Sequence, residues 1–153
     1  MARLVKQVNL TITDLARSKA FYEPVMRYLG YEIVVQNRRD IVFAPADSDS
    51  PFSFALHWSR PENRGREHDR DAPGLHHLAF DAESREDVDG LYAFLKETGA
   101  RVLYPPGVCC EPDYYALFFA DPDGIVIEFS HRPRRESVRS EAAPDAAQGG
   151  VAE

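Results

Sequence analysis

Asp121-Pro122-Asp123-Gly124-Ile125-Val126-Ile127-Glu128-Phe129 reads as a tight turn feeding a short strand. Strand side chains alternate between faces, so Val126, Glu128 and Ser130 share one side and Ile125, Ile127 and Phe129 the other. One face is apolar and the opposite one carries a single carboxylate. Upstream, Gly74-Leu75-His76-His77-Leu78-Ala79-Phe80-Asp81 repeats the pattern. Leu78 and Phe80 share an apolar face, while His77, Ala79 and Asp81 lie opposite. A histidine and a glutamate thus occupy the less apolar faces of two strands.

A chain of 153 residues suits one compact domain, or two small modules sharing one sheet, and is too short for two independent domains. No apolar run reaches the roughly 18 to 20 residues that span a bilayer, and residues 1–6 lack the apolar segment of a signal peptide. A cytoplasmic protein without membrane association is the expectation. The formal charge of -7 argues against a nucleic-acid binder, whose affinity rests on Lys and Arg neutralising phosphates. Cys109 and Cys110 are the two cysteines. Being adjacent, they cannot staple distant parts of the chain, and they lack the C-x-x-C spacing of a redox pair.

Outward from these strands, the chain reads as a repeat. Residues 5–13 alternate, with Val8, Leu10 and Ile12 on one face and Gln7, Asn9, Thr11 and Thr13 on the other. Asp14 is placed to cap a helix whose apolar residues run from Leu15 to Leu29, with Gly30 as its stop and Pro24 expected to kink or break it. Strands follow at 31–36, 40–44 and 51–58. Residues 59–74 are charged and rich in turn formers, which suggests an exposed linker. After it come a strand at 76–82, a helix from Ser84 or Arg85 to Gly99, and strands at 101–104, 114–120 and 125–130. Gln7 and His77 lie 70 residues apart, Gly30 and Gly99 lie 69 apart, and such matched offsets indicate internal duplication. The expected class is α+β, two β-α-β-β-β modules at 4–58 and 75–131 within one domain, 1–131. A disordered tail is expected over 132–153.

Large side chains fall on both faces of Tyr114-Tyr115-Ala116-Leu117-Phe118-Phe119. One set packs under a helix and the other can line a pocket. Alternation separates Tyr115, Leu117 and Phe119 from Tyr114, Ala116 and Phe118, and an aromatic or amphipathic ligand suits either set; Tyr115 and Phe119 are named as the pocket candidates. The turn-rich segment 105–113 is a natural pocket rim. His76 is expected to face away from His77 by alternation, and His68 and His131 to be solvent-exposed.

The order of these motifs resembles the vicinal oxygen chelate superfamily, which includes glyoxalase I, extradiol dioxygenases, fosfomycin-resistance enzymes and bleomycin-resistance proteins. The resemblance rests on Asp14-Leu15 with Ser18, Phe21-Tyr22 and Leu29-Gly30, then on His77-Leu78-Ala79-Phe80 and Asp121-Pro122-Asp123-Gly124 with Glu128. It implies curved sheets around a cavity that holds a divalent metal, Zn, Ni, Mn or Fe(II), and a homodimer. By motif match Gln7, His77 and Glu128 are the metal-ligand positions, of which imidazole and carboxylate are strong donors and the amide carbonyl a weaker one. First strands of the two modules are expected to be neighbours, bringing Gln7 to His77.

The fourth ligand position falls on the strand 51–58, where Ser53 stands where a glutamate is expected. Asn9, Ser53 and Ala55 are then pocket residues, and His57 on the same face is a candidate for proton transfer. Glu128 remains the carboxylate able to move a proton, which argues against lactoylglutathione lyase activity. Gln7 in a histidine's place argues against an extradiol dioxygenase triad. Two functions follow from the resemblance: a metal-dependent lyase, isomerase or dioxygenase-like enzyme acting on a small molecule, or a non-catalytic protein that binds or sequesters one.

Overall fold

The computed structural model describes residues 5–47, 49–109 and 111–133. The first module consists of β1 (Gln7–Ile12), α1 (Leu15–Tyr28), β2 (Tyr31–Gln36), β3 (Asp40–Pro45) and β4 (Ser53–Trp58). The second repeats it as β5 (Leu78–Asp81), α2 (Arg85–Thr98), β6 (Arg101–Val108), β7 (Tyr115–Ala120) and β8 (Val126–His131). Each builds a four-stranded sheet, in the order β1-β4-β3-β2 or β5-β8-β7-β6. In both, the first strand runs parallel to the last and the remaining pairs are antiparallel. Cys110 and all but the first two residues of the tail lie outside the described residues.

Local chemistry accounts for the helix ends. The Asp14 carboxylate accepts from the Arg17 N–H at 2.9 Å, and the Ser84 hydroxyl from the Asp87 N–H at 3.1 Å, each satisfying a donor that the first turn leaves open. Gly99 ends α2 at φ 70°, a left-handed conformation that glycine adopts without steric cost. Pro24 does not break α1, which runs on to Tyr28. The missing N–H forfeits one helical bond, while Ser18, Tyr22, Val25 and Met26 are buried on one stripe, and that burial holds the helix together.

The apolar faces of both sheets and both helices share a single core. Phe54 of β4 meets Phe80 of β5 with ring centroids 6.1 Å apart, and Phe21 of α1 meets Phe119 of β7 at 6.2 Å. A polar seam crosses this junction. The buried Tyr22 hydroxyl donates to Asp121 Oδ2 at 2.9 Å, and Asp121 Oδ1 accepts from the backbone N–H groups of Asp123 and Ile125. Asp123 in turn accepts from the Thr13 N–H at 2.6 Å and pairs with Arg17 at 2.7 Å. The Asp-Pro-Asp-Gly turn of the second module is therefore anchored to the first. Burial drives the Tyr22 hydroxyl well above the ordinary tyrosine range and raises the Asp121 carboxyl.

Two expected loops differ. β6 extends through Pro105 and Pro106 to Val108 rather than ending before the pocket rim. Prolines are tolerated there because β6 is an edge strand and its register with β7 shifts between Tyr104 and Gly107. Linker residue His68 is half-buried rather than exposed: its N–H donates to the Asp123 carbonyl at 2.8 Å and its ring lies 2.8 Å from the Leu75 carbonyl. His131 is likewise held, 3.1 Å from the Ala82 carbonyl.

Candidate functional site

β5 and β8 are adjacent and parallel, pairing Leu78 with Ile127 and Ala79 with Glu128. That register carries His77, just before β5, over the side chain of Glu128, whose Oε2 lies 3.0 Å from His77 Nε2. Glu128 is only 3% exposed, so its charge needs partners. The Tyr114 hydroxyl donates to its other oxygen, Oε1, and itself lies 3.0 Å from Ser130 Oγ. Burial and this bond to Glu128 both raise the Tyr114 hydroxyl above the usual tyrosine range, which keeps it a donor.

His76 does not face away from His77. Both rings line the same cavity, with their Nδ1 atoms 2.7 Å apart. Alternation fails here because β5 begins only at Leu78, leaving both histidines in irregular backbone. A carboxylate accepts and cannot donate, so His77 presents N–H at Nε2; its neutral tautomer then has an accepting Nδ1, which takes the His76 N–H. The chain of contacts runs from Tyr114 through Glu128 and His77 to His76.

These groups form the floor of a cavity of about 400 Å³, which Tyr104 and Phe118 wall with aromatic rings and Arg70 and Arg132 edge with charge. Tyr115 and Phe119 are not part of it. Phe119 is buried in the core, and the Tyr115 hydroxyl donates to Asp89 of α2 at 2.8 Å. The alternate set, Tyr114 and Phe118, faces the cavity because the β7–β8 register sets Phe118 beside Glu128. Arg70 escaped notice because its linker position carries no periodic signal. Arg132 sits beyond β8, where strand alternation no longer assigns a face.

Gln7 stands elsewhere. β1 and β5 belong to different sheets rather than neighbouring one another, and Gln7 is exposed on β1, paired with Ser53 of β4. Asn9 is exposed beside it and pairs with Ala55, which is 3% exposed. Matching Gln7 with His77 makes Asn9 the counterpart of Ala79, so the position equivalent to Glu128 is Ala55 and not Ser53. His57 also lies outside the cavity. Its Nδ1 is 2.5 Å from Asp40 Oδ1, a contact that lowers the Asp40 carboxyl below the usual range.

Among the described residues no group of three or more His, Cys, Asp and Glu side chains is arranged to hold a metal ion. His77 and Glu128 supply two donors. Their 3.0 Å separation suits adjacent ligands on one ion with bonds of about 2.0 to 2.2 Å. An ion bound at Nε2 would require the other tautomer of His77, with Nδ1–H donating to His76 Nδ1, the second-nitrogen contact that in metal sites fixes the ligand's orientation.

The chain is 30% identical over 123 residues to the uncharacterized protein YqjT of Bacillus subtilis (strain 168), covering 79% of this chain and 93% of that one. A crystal structure from Bacillus halodurans, described as a candidate glyoxalase, aligns at 30% identity with a TM-score of 0.74, covering 84% of this chain and 95% of that one. The fosfomycin resistance protein FosX of Listeria monocytogenes shares the fold at 18% identity and a TM-score of 0.62, over 86% of this chain and 94% of its own. The sequence pattern of the family matches residues 4–129, and the chain belongs to the Glyoxalase/Bleomycin resistance protein/Dioxygenase superfamily.

Proposed function

We propose that this protein is a metal-dependent enzyme acting on a small molecule, of the lyase, isomerase or dioxygenase-like type, with His77 and Glu128 as ligands to a divalent ion. The supporting observation is the buried Glu128 carboxylate, 3.0 Å from His77 Nε2 at the floor of an accessible cavity. Burying a carboxylate is costly, and a site that uses its charge gives that burial a purpose. A divalent ion held there would polarise a substrate oxygen. Tyr114 holds the carboxylate in place from the opposite side by donating its hydroxyl proton to Oε1. His76 keeps the His77 ring oriented.

Gln7 fits this reading as a ligand supplied by a second copy of the chain. Its exposed strand face has no counterpart at the His77 cavity of its own chain, and a homodimer that laid one copy's β1 against the other's β5 and β8 would complete the donor set. Such a protein would work in the cytoplasm without membrane or nucleic-acid partners; no helix among the described residues is long and apolar enough to cross a membrane. Metal analysis of protein purified without chelator tests the proposal. One divalent ion per chain is the expected result, and metal-free protein that cannot be reloaded with Mn, Fe(II), Ni or Zn would sink it. Sedimentation should show a dimer at micromolar concentration.

The second reading, a small-molecule binding or sequestering protein that needs no metal, is favoured by one observation: among the described residues of a chain the ion finds two strong ligands, and Ala55 stands where another carboxylate would. Metal-independent ligand binding would select it.

A further inference from the structure

Among the described residues, the lining of the cavity at His77 and Glu128 includes two arginines, Arg70 from the linker and Arg132 just beyond β8, and one carboxylate, that of Glu128. That carboxylate is already engaged on both oxygens, by Tyr114 and by His77. Each arginine has an acidic neighbour, Glu111 for Arg132 and Asp71 for Arg70, yet a guanidinium carries five N–H donors, more than one such contact uses.

The arginines are placed for a ligand. Arg132 pairs with Glu111, and its guanidinium carbon lies 5.3 Å from the centre of the Tyr114 ring. Arg70 makes a 4.0 Å contact through Nε to its sequence neighbour Asp71, which leaves the outer edge of its fork facing elsewhere. Beside them, Tyr104 is 59% exposed, and its ring meets Phe118 edge-on with centroids 5.9 Å apart. An aromatic wall in the same cavity as two guanidiniums calls for an apolar body bearing an oxyanion.

We infer that the ligand of this cavity is a small anion, a carboxylate or phosphonate carried on an aromatic or similarly apolar body, with its charge between Arg70 and Arg132 and its body against Tyr104 and Phe118. This rests on the reading of the cavity as a small-molecule site and adds its substrate class.

Calorimetric titration with mandelate, phenylphosphonate and the neutral amide mandelamide tests it, on the full chain and on Arg70→Gln and Arg132→Gln. At least one anion binds, the amide binds at least about tenfold more weakly, and each substitution lowers anion affinity about tenfold while leaving the amide unaffected. The tighter of the two anions assigns carboxylate or phosphonate. The inference is overturned if neither anion binds, if the amide matches the acids, or if both substitutions leave anion affinity unchanged. A parallel Mn²⁺ titration separates this result from the metal site. Both arginine variants keep the parent's Mn²⁺ affinity, and arginine-dependent binding of mandelate by a protein that takes no Mn²⁺ leaves the anion site standing while the metal proposal falls.

Discussion

β4 and β8 hold the same place in their sheets, each between a parallel first strand and an antiparallel third one, yet their outward faces have diverged. β4 presents Ser53, Ala55 and His57, and β8 presents Val126, Glu128 and Ser130. Their inward residues, Phe54 and Leu56 against Ile127 and Phe129, remain large, apolar and buried in the common core. The asymmetry has a physical origin. Inward side chains must fill a shared volume at near-crystalline density, so size and polarity are constrained together in both copies. Outward ones answer only to what lies over the sheet. The second module there holds a tyrosine and a histidine able to satisfy a buried carboxylate, and the first holds a small side chain.

Removing the acid should erase this difference. Glu128→Ala, which takes away the anionic ligand, is expected to abolish stoichiometric metal binding, whereas Gln7→Ala, which removes a neutral donor, should only weaken it. Equilibrium dialysis with Mn²⁺ on both variants checks the ranking. Full metal occupancy in Glu128→Ala would transfer the site to other residues.

A smaller effect is expected at the seam that binds one module to the other. Tyr22→Phe removes the hydroxyl donated to Asp121 and strands a buried acceptor, at a cost of about 1 to 3 kcal/mol. Thermal unfolding at neutral pH would register this as a fall of roughly 3 to 10 °C. Burial raises the Asp121 carboxyl in the folded state, so the stability linked to its proton is present below the unfolded pKa and lost as pH rises through the folded one. The bond from Tyr22 opposes that shift by favouring the ionised form. The penalty of Tyr22→Phe should therefore shrink as pH falls through the folded pKa of Asp121, and a penalty independent of pH would show that Asp121 does not carry it.

The contrast between the modules also marks what could be read before the structure. His77 and Glu128 were legible because a strand's period of two isolates a polar residue among apolar neighbours, and the β5–β8 pairing then had to bring them together. His76 was misplaced because the same period was applied one turn of backbone before the strand began. Choosing Tyr115 and Phe119 over Tyr114 and Phe118 failed for a different reason: both faces of β7 are bulky, and only the pairing with β8 says which one looks toward Glu128. Gln7 is a ligand position by motif match to the family, which fixes a position within a sheet and not the relation of one sheet to the other. Nothing local distinguishes Arg70 from the other linker arginines.

Placing an acid on the first module is the converse test. Ala55→Glu puts a carboxylate at the position equivalent to Glu128, but its cross-strand neighbours are Asn9 and Val42 rather than Ala79 and Phe118 with Tyr114 nearby. Without a matching hydroxyl and imidazole, the new charge should cost about 1 to 2 kcal/mol in urea unfolding, an unpaired polar group being poorly tolerated where the parent side chain is covered. Unchanged stability would mean that this face already offers donors, and that the two modules differ less than their sequences do.

The smallest effect is expected at His57, which the sequence singled out for proton transfer. Its Nδ1 contact with Asp40 sits at the surface, with side chains 46% and 37% exposed. Water screens such a pair, so neither His57→Ala nor Asp40→Asn should shift the melting temperature measurably at neutral pH. The hydrogen bond from His57 lowers the Asp40 carboxyl, so whatever stability the pair gives is present above the unfolded pKa, near 3.9, and lost as pH falls through the folded value. Asp40→Asn should accordingly flatten acid unfolding slightly and leave the neutral range alone. Turnover and Mn²⁺ affinity should also match the parent, since His57 does not border the His77 cavity of its own chain and lies four residues, roughly 13 Å, along β4 from Ser53, the strand partner of Gln7. A dimer that brings one copy's β4 across the other's cavity makes the opposite demand: there His57 would face substrate, and His57→Ala would lower kcat while metal affinity stayed constant. That split, found in a variant of unaltered stability, would restore His57 to the chemistry and show that the first module's outward face works only on a second copy's substrate.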